Sequence, residues 1–515
     1  MSRSSTRTRV ALLALVVLAL ALRLSYLASD PHNPKNLTYY GEVAQSLITG
    51  HGFYVREGSP GYIEQLRNHT RRLPEPAEVD LAEAPGIGRW QPWIDEPVGG
   101  PLLLTGMWEI ADRGHYLPMQ LLQALLDALC VLLVFRISMR LFGRPRAALL
   151  AAGAYALYPP IAWQTTIVYN DIWSVDFTIA IVSSYLEAIG SVDAVGWARS
   201  WRWLAMCGVV TGAGLYFRPN LVLLPAALAL ATIVHAGWRR TLVRAVVPTA
   251  IALVLVTPWL IRDYRAYHAF VFVRSGLGIT LWTGLGEAHN DFGASQLSLA
   301  DIYARVQRLR PDLRPQTPAF DSFLLHQIVI PTIESHPLYY AELVGRRILR
   351  STLLLYEGST WQHRGATFPS RRTLGSLAAF LAGHPFAVLE DAIQPLAFLG
   401  AMLVLVLTWR RWRRQHVLLL AIMLSALLPY IVVHFEPRFA LNAAVVYVVW
   451  IGLGIDLLAG RATNMRRQRV RSSGRNASHN AARAIAQNAP TAIRPSGWST
   501  CASSATGTAH ATIGR

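Results

Sequence analysis

Residues 1–28 read MSRSSTRTR and then VALLALVVLALALRLSYLA: nine polar and basic positions followed by nineteen that are almost all apolar. Nineteen helical residues rise about 28 Å, close to the roughly 30 Å of a bilayer's hydrocarbon core. A cleavable leader has a shorter apolar core and a small-residue cleavage site. The stretch therefore reads as an uncleaved first membrane span, entered from the cytoplasm behind its arginines.

Similar runs recur. Apolar stretches at 10–28, 117–139, 147–163, 172–190, 203–217, 219–236, 245–261, 390–408, 416–434 and 440–459 give about ten expected spans. Helix is the element that satisfies the backbone inside lipid. The composition agrees: 53% of the 515 residues are hydrophobic and 15% charged, where a soluble chain has nearer a quarter charged. The expected fold is an all-α polytopic membrane protein.

The net charge of +18 is spread in a way that excludes nucleic acid as a partner. Its arginines sit at the ends of apolar runs, not along one stripe. With the N-terminus cytoplasmic and the spans alternating, every short basic connector falls inside: Arg140, Arg144 and Arg146; Arg199 and Arg202; Arg239, Arg240 and Arg244; Arg410, Arg411, Arg413 and Arg414. This is the positive-inside pattern, and it places both termini in the cytoplasm of a cell inner (plasma) membrane. A membrane body over 1–461 and a disordered basic tail over 462–515 follow; the tail lacks acids and apolar periodicity.

Two long segments, about 29–116 and 262–389, are left outside. Within them 101–112, 321–334 and 373–387 are apolar but short, as interfacial helices are. The stretch Tyr39-Tyr40-Gly41-Glu42-Val43-Ala44-Gln45-Ser46-Leu47 has helical spacing and stops at Gly50. Cys130, Cys207 and Cys501 have no disulfide or metal spacing. Asp127, Asp176, Glu187 and Asp456 fall in apolar runs. All but Asp127 lie near span ends, where interfacial placement accounts for them; an acid in mid-span is a functional candidate.

The order of these features resembles the GT-C glycosyltransferases that use polyprenyl-phosphate sugars, such as protein mannosyltransferases and aminoarabinose transferases. Tyr40, Ala44, Leu47 and Gly50-His51-Gly52-Phe53 are similar to that superfamily's first outer segment. Asp95-Glu96-Pro97-Val98-Gly99-Gly100-Pro101-Leu102-Leu103 is similar to its Pro-Gly-x-Pro-Leu segment. Phe217-Arg218-Pro219-Asn220, Thr257-Pro258-Trp259-Leu260-Ile261-Arg262-Asp263-Tyr264 and Glu436-Pro437-Arg438-Phe439 resemble its later elements. The resemblance covers about 10–460 and implies inverting transfer of a sugar to a lipid, glycan or protein acceptor.

In such a transfer the acceptor hydroxyl loses a proton as it attacks, so a carboxylate is the natural base. The family's acid stands about four residues before the tyrosine matched to Tyr40, and that position here is Asn36. The base is therefore sought among Glu42, Asp95, Glu96 and Asp30, with Asp171 a weaker candidate because it also suits a helix cap. The departing lipid phosphate calls for cations, and arginine's forked donors suit it. Arg218, Arg262, Arg265 and Arg438 all fall at outer span ends, where arginine is otherwise disfavoured. No metal or cofactor signature is present, and a divalent cation is compatible with the chemistry. The alternative is a non-enzymatic transporter or a polyprenyl-lipid-binding relative; transporters usually carry internal repeats, and none is visible.

Overall fold

The computed structural model describes residues 3–29, 39–57, 88–111, 113–190, 197–295, 300–352, 375, 379, 385–461 and 463. Residues 1–457 form one compact unit; of the second, 458–515, only 458–461 and 463 are described. The expected tail over 462–515 and the segment 373–387 thus lie almost wholly outside the described residues, as does Asp30.

The protein is a helical, multi-pass membrane protein. Among the described residues six helices are long and apolar enough to cross a bilayer: Thr6–Ala28, Leu117–Phe142, Asn170–Ile189, Trp238–Tyr267, Ala392–Val432 and Arg438–Arg461. Ten long helices are thus not what is seen, and the differences have local causes. The run 147–163 is cut into Pro145–Ala156 and Pro159–Gln164, because Pro159 cannot continue the preceding helix. The run 219–236 is divided into Pro219–Val222, Leu223–Ala231 and Ile233–Ala236. The runs 390–408 and 416–434 are two helices that meet at a kink within Pro385–Val432, where Trp412 leaves helical geometry (φ −129°, ψ 37°). At about 1.5 Å per residue the whole stretch is far longer than one bilayer core, and the kink divides it into the two runs expected from the sequence.

Small residues bring the helices together. Gly208 and Gly212, spaced as G-x-x-x-G in helix Trp197–Leu215, face helix Trp238–Tyr267. A Cβ on Gly208 would come within 2.9 Å of the Pro248 carbonyl oxygen, and one on Gly212 within 3.2 Å of the Ala252 Cα. Backbones that close are how membrane helices gain dispersion energy without a hydrophobic driving force between them. Buried Ala147, Ala148, Ala151 and Ala152 play the same part where helix Pro145–Ala156 meets Gly452.

Asp127 is fully buried and forms an ion pair with Arg23 of the first span. The Tyr155 hydroxyl also donates to Asp127, and Arg23 Nη1 donates to the carbonyls of Ala19 (3.0 Å) and Ala156 (2.9 Å). The mid-span acid is thus a paired structural group. Glu187 and Asp456 pair with Arg140 and Arg144, and Cys130 Sγ lies 3.4 Å from Asp176 Oδ1.

The expected outer segments carry their own structure. Helix Tyr39–Ile48 ends before Gly50 at φ +84°, as the sequence predicts. An antiparallel hairpin departs from the all-α expectation: β1 (Tyr54–Arg56) pairs with β2 (Trp90–Pro92), Val55 opposite Gln91. Its ladder continues through Glu57 N to Arg89 O (2.9 Å) and Gly88 N to Glu57 O (2.8 Å). The short apolar stretch near 101–112 is helix Gly99–Ile110. In the second segment Trp282, Leu285, Ile302, Val306, Phe320, Leu324, Ile328 and Leu343 build a separate small core. Its helix Pro337–Thr352 caps the end of helix Pro385–Val432: Arg347 Nη1 donates to Ile431 O (3.2 Å) and Val432 O (2.9 Å), and the Tyr340 hydroxyl to Val432 O (2.6 Å). Carbonyls at a helix C-terminus lack partners and carry partial negative charge, so a guanidinium suits them.

Candidate active site

The segment between β2 and helix Gly99–Ile110 carries Asp95 and Glu96. It is pinned by the Tyr267 hydroxyl to Pro92 O (2.6 Å), by Trp93 Nε1 to Glu96 O (2.8 Å), and by Ser275 N to Ile94 O (2.8 Å). Arg262 belongs to the same brace. It donates to the carbonyls of Trp93 and Phe53, pairs with Asp263 at 2.7 Å, and stacks 4.6 Å from the Trp259 ring centroid. Three of the five guanidinium N–H donors of Arg262 are thus taken by these neighbours, and through them it positions the loop that carries Glu96. Arg265 is exposed and forms no ion pair among the described residues.

Glu96 points into a cluster of charges. Its Oε1 accepts from the Tyr169 hydroxyl (3.2 Å) and Arg274 Nη1 (3.3 Å). Its Oε2 is buried with no hydrogen-bond partner among the described residues. Burial, and then the Glu96 charge, push the Tyr169 hydroxyl well above its usual range, so Tyr169 stays a donor. The Tyr169 ring stacks on Tyr40 at 5.3 Å and lies 4.9 Å from the Arg438 guanidinium. One ring thus separates Glu96 from Arg438. Gly100 has to be small here, because a Cβ would sit 2.8 Å from Tyr40 and 3.0 Å from Asn170 Oδ1.

Asp171, in the first turn of helix Asn170–Ile189, forms a buried ion pair with Arg218. Arg438 Nε lies 3.4 Å from its other oxygen, and Arg438 Nη2 pairs with Glu436 at 2.6 Å. Arg218 Nε and both side-chain polar atoms of Asn170 are buried with no hydrogen-bond partner among the described residues, and Arg438 Nε has only the long contact to Asp171. Buried polar atoms are nearly always paired, so a concentration of orphaned ones marks a place built for a ligand.

A second chain of charges adjoins the first. His434 Nε2 lies 3.3 Å from Glu436 Oε1, and His434 Nδ1 lies 2.7 Å from Glu287 Oε1. Glu287 also accepts from Arg347 Nε (3.2 Å), Arg350 Nη1 (3.3 Å) and the Phe435 amide (3.0 Å). Burial alone would lower the His434 pKa, but the hydrogen bonds and charges of Glu287 and Glu436 outweigh it and raise it above the ordinary 6.5. Burial works to raise both carboxyls, yet their cationic neighbours hold Glu287 and Glu436 below the ordinary 4.5.

Of the residues expected from sequence, Glu96, Arg218 and Arg438 come together, with Asp171. Glu42 is buried elsewhere and accepts from the Arg56 amide at 3.3 Å, which seats the hairpin on its helix. Asp95 is half-buried, on the Tyr267 and Arg274 side of the loop. Tyr169, Arg274, Glu287 and His434 had no expected role. The last two steps of His434-x-Glu436-x-Arg438 did carry a signal: in extended backbone, residues two apart share a side.

The fold these helices define is that of the GT-C glycosyltransferases. Residues 95–261 match the family described as dolichyl-phosphate-mannose-protein mannosyltransferase, a window that holds Glu96, Tyr169, Asp171 and Arg218. The resemblance read from the sequence is thereby borne out. The archaeal oligosaccharyltransferase AglB from Archaeoglobus fulgidus, solved with an inhibitory peptide and a dolichol-phosphate, superposes with TM-score 0.50 and 14% identity over 89% of this chain and 51% of that one. The chain thus spans about half the length of that relative. ArnT from Cupriavidus metallidurans, bound to undecaprenyl phosphate, aligns at TM-score 0.38 and 14% identity, covering 85% of this chain and 77% of that one. No curated protein matches the chain.

Proposed function

We propose that the protein transfers a hexosyl or pentosyl group from a polyprenyl phosphate to a hydroxyl of a lipid, glycan or protein acceptor at the outer face of the inner membrane. The observation that carries this reading is a pair of buried atoms left without a hydrogen-bond partner among the described residues, Glu96 Oε2 and Arg218 Nε, with the partly exposed Arg438 guanidinium across the Tyr169 ring from Glu96. An unpaired carboxylate oxygen is ready to accept a proton, and an unpaired guanidinium donor beside a second, partly exposed guanidinium is ready for phosphate oxygens.

In the proposed reaction Glu96 Oε2 takes the acceptor's proton as the hydroxyl oxygen bonds to the anomeric carbon. The bond from that carbon to the phosphate oxygen breaks on the opposite face, and the polyprenyl phosphate leaves. Arg218 and Arg438 stabilise the charge that grows on it. With His434 protonated, six cations (Arg218, Arg274, Arg347, Arg350, Arg438, His434) face four carboxylates (Glu96, Asp171, Glu287, Glu436) in the two joined chains. That positive excess favours an anionic ligand. The dolichol-phosphate held by the archaeal oligosaccharyltransferase supports a polyprenyl phosphate as that ligand. In this reading the chain crosses the membrane ten times, shorter helices completing crossings that the long ones do not, with both termini cytoplasmic. Residues 1–461 form the catalytic body and 462–515 a basic cytoplasmic tail.

The test is sugar transfer from a polyprenyl-phosphate donor in proteoliposomes, with donor binding measured alongside. Arg438→Ala removes a partly exposed fork and should weaken donor binding by about 10- to 100-fold, the range for hydrogen bonds to a charged group. Unchanged binding would remove Arg438 from the phosphate site. A protein that binds the lipid and transfers no sugar under any condition would be the non-enzymatic relative.

A further inference from the structure

His434 sits between two carboxylates, with a ring nitrogen on each. An ionised carboxylate only accepts hydrogen bonds, so both nitrogens must carry hydrogen and the ring is an imidazolium. Glu287 is held ionised by Arg347, Arg350 and the Phe435 amide, and Glu436 by Arg438. No other charged side chain reaches the ring among the described residues; the remaining ring contact is the edge of Phe439.

The contacts form a series. Glu287 follows helix Leu277–Leu285 of the small outer core. His434 and Glu436 lie between helix Pro385–Val432 and Pro437–Ala443. Arg438 reaches Asp171 on the membrane body. Gly284 lets the two parts meet this closely: a Cβ there would lie 2.3 Å from the Val433 carbonyl oxygen.

We propose that His434 is a positioning residue that ties Glu287 of the outer core to Glu436, and through Glu436 holds the Arg438 fork towards the donor phosphate. This rests on the reading of the site given above. A deprotonated ring can donate to only one of its two neighbours. Glu436 or Glu287 then loses its donor, and the Arg438 fork loses its fixed partner. Donor affinity should therefore be full while the ring is charged and fall as pH rises through its elevated pKa.

The experiment measures binding of polyprenyl monophosphate to the full-length protein in nanodiscs, from about pH 6 to about pH 9, for wild type, His434→Gln and His434→Lys. Wild type should lose about tenfold in affinity across that range, one lost charge-assisted contact. His434→Gln should bind weakly throughout with the alkaline fall removed. His434→Lys, a cation that does not titrate in this range, should restore affinity and also lack the fall. Histidine-selective 15N spectra compared with His434→Gln should show both ring nitrogens protonated at neutral pH. If wild type and both variants show the same pH dependence, or the ring is neutral, the role of His434 is overturned while the site stands. If wild type binds no polyprenyl phosphate at any pH, the site reading falls and takes this role with it.

Discussion

Glu96→Gln should cost about 10²- to 10⁴-fold in sugar transfer, the usual worth of a positioned general base, while leaving binding of the polyprenyl-phosphate donor close to wild type. The amide keeps the shape and can still accept from Tyr169 and Arg274 through its carbonyl, so Oε1's contacts at 3.2 and 3.3 Å survive. What is lost is the basicity of Oε2, the orphaned oxygen. A loss in kcat with KM for the donor unchanged is the signature to look for. Full activity in Glu96→Gln would move the base elsewhere, and Asp95→Asn is then the next variant to assay. Tyr169→Phe separates orientation from proton transfer: it removes one donor to Glu96 but leaves its carboxylate, so its effect should be much smaller.

The second large effect is on stability. Arg23→Leu leaves the Asp127 carboxylate fully buried with its cation gone, and breaking a buried pair from one side costs about 3–5 kcal/mol. Thermal unfolding in detergent should show a markedly lowered midpoint. The double variant Arg23→Leu, Asp127→Leu removes both charges and should recover much of the loss, since an apolar pair avoids the desolvation penalty. Equal stability of Arg23→Leu and wild type would mean that Asp127 is not held by this pair. The Tyr155 hydroxyl, which also donates to Asp127, gives a milder third variant in Tyr155→Phe.

Long apolar runs with basic connectors were legible because hydropathy is a local property. The run 10–28 and the helix Thr6–Ala28 coincide closely, as does the stop at Gly50. Breaks inside runs were harder to read. Nothing apolar distinguishes residue 158 from its neighbours, yet Pro159 starts a new helix there. The division between the runs 390–408 and 416–434 was legible in the basic stretch Arg410 to Arg414, and the two helices kink there at Trp412.

The site divides along the same line. Glu96, Arg218 and Arg438 lay in motifs at span ends, where an outer arginine or a loop acid has few other reasons to be. Arg274 meets Glu96 from 178 residues away, and His434 meets Glu287 from 147. Such pairs depend on how the second outer segment folds, and its helices are set by a small core of scattered apolar residues with no motif. The carbonyls that Arg262 serves, Trp93 O and Phe53 O, lie 169 and 209 residues away and carry no motif of their own.

The β1–β2 hairpin has a practical corollary. Its outermost rungs bring Glu57 and Gly88 within one hydrogen bond, so the ladder itself closes the chain on either side of 58–87. Ring-closure entropy grows only slowly with length, and a join already made by the ladder is indifferent to how much chain it encloses. A two-residue Asn-Gly turn, which matches the twist of paired strands, would therefore close the ladder at Glu57 and Gly88 as well as a longer connection does.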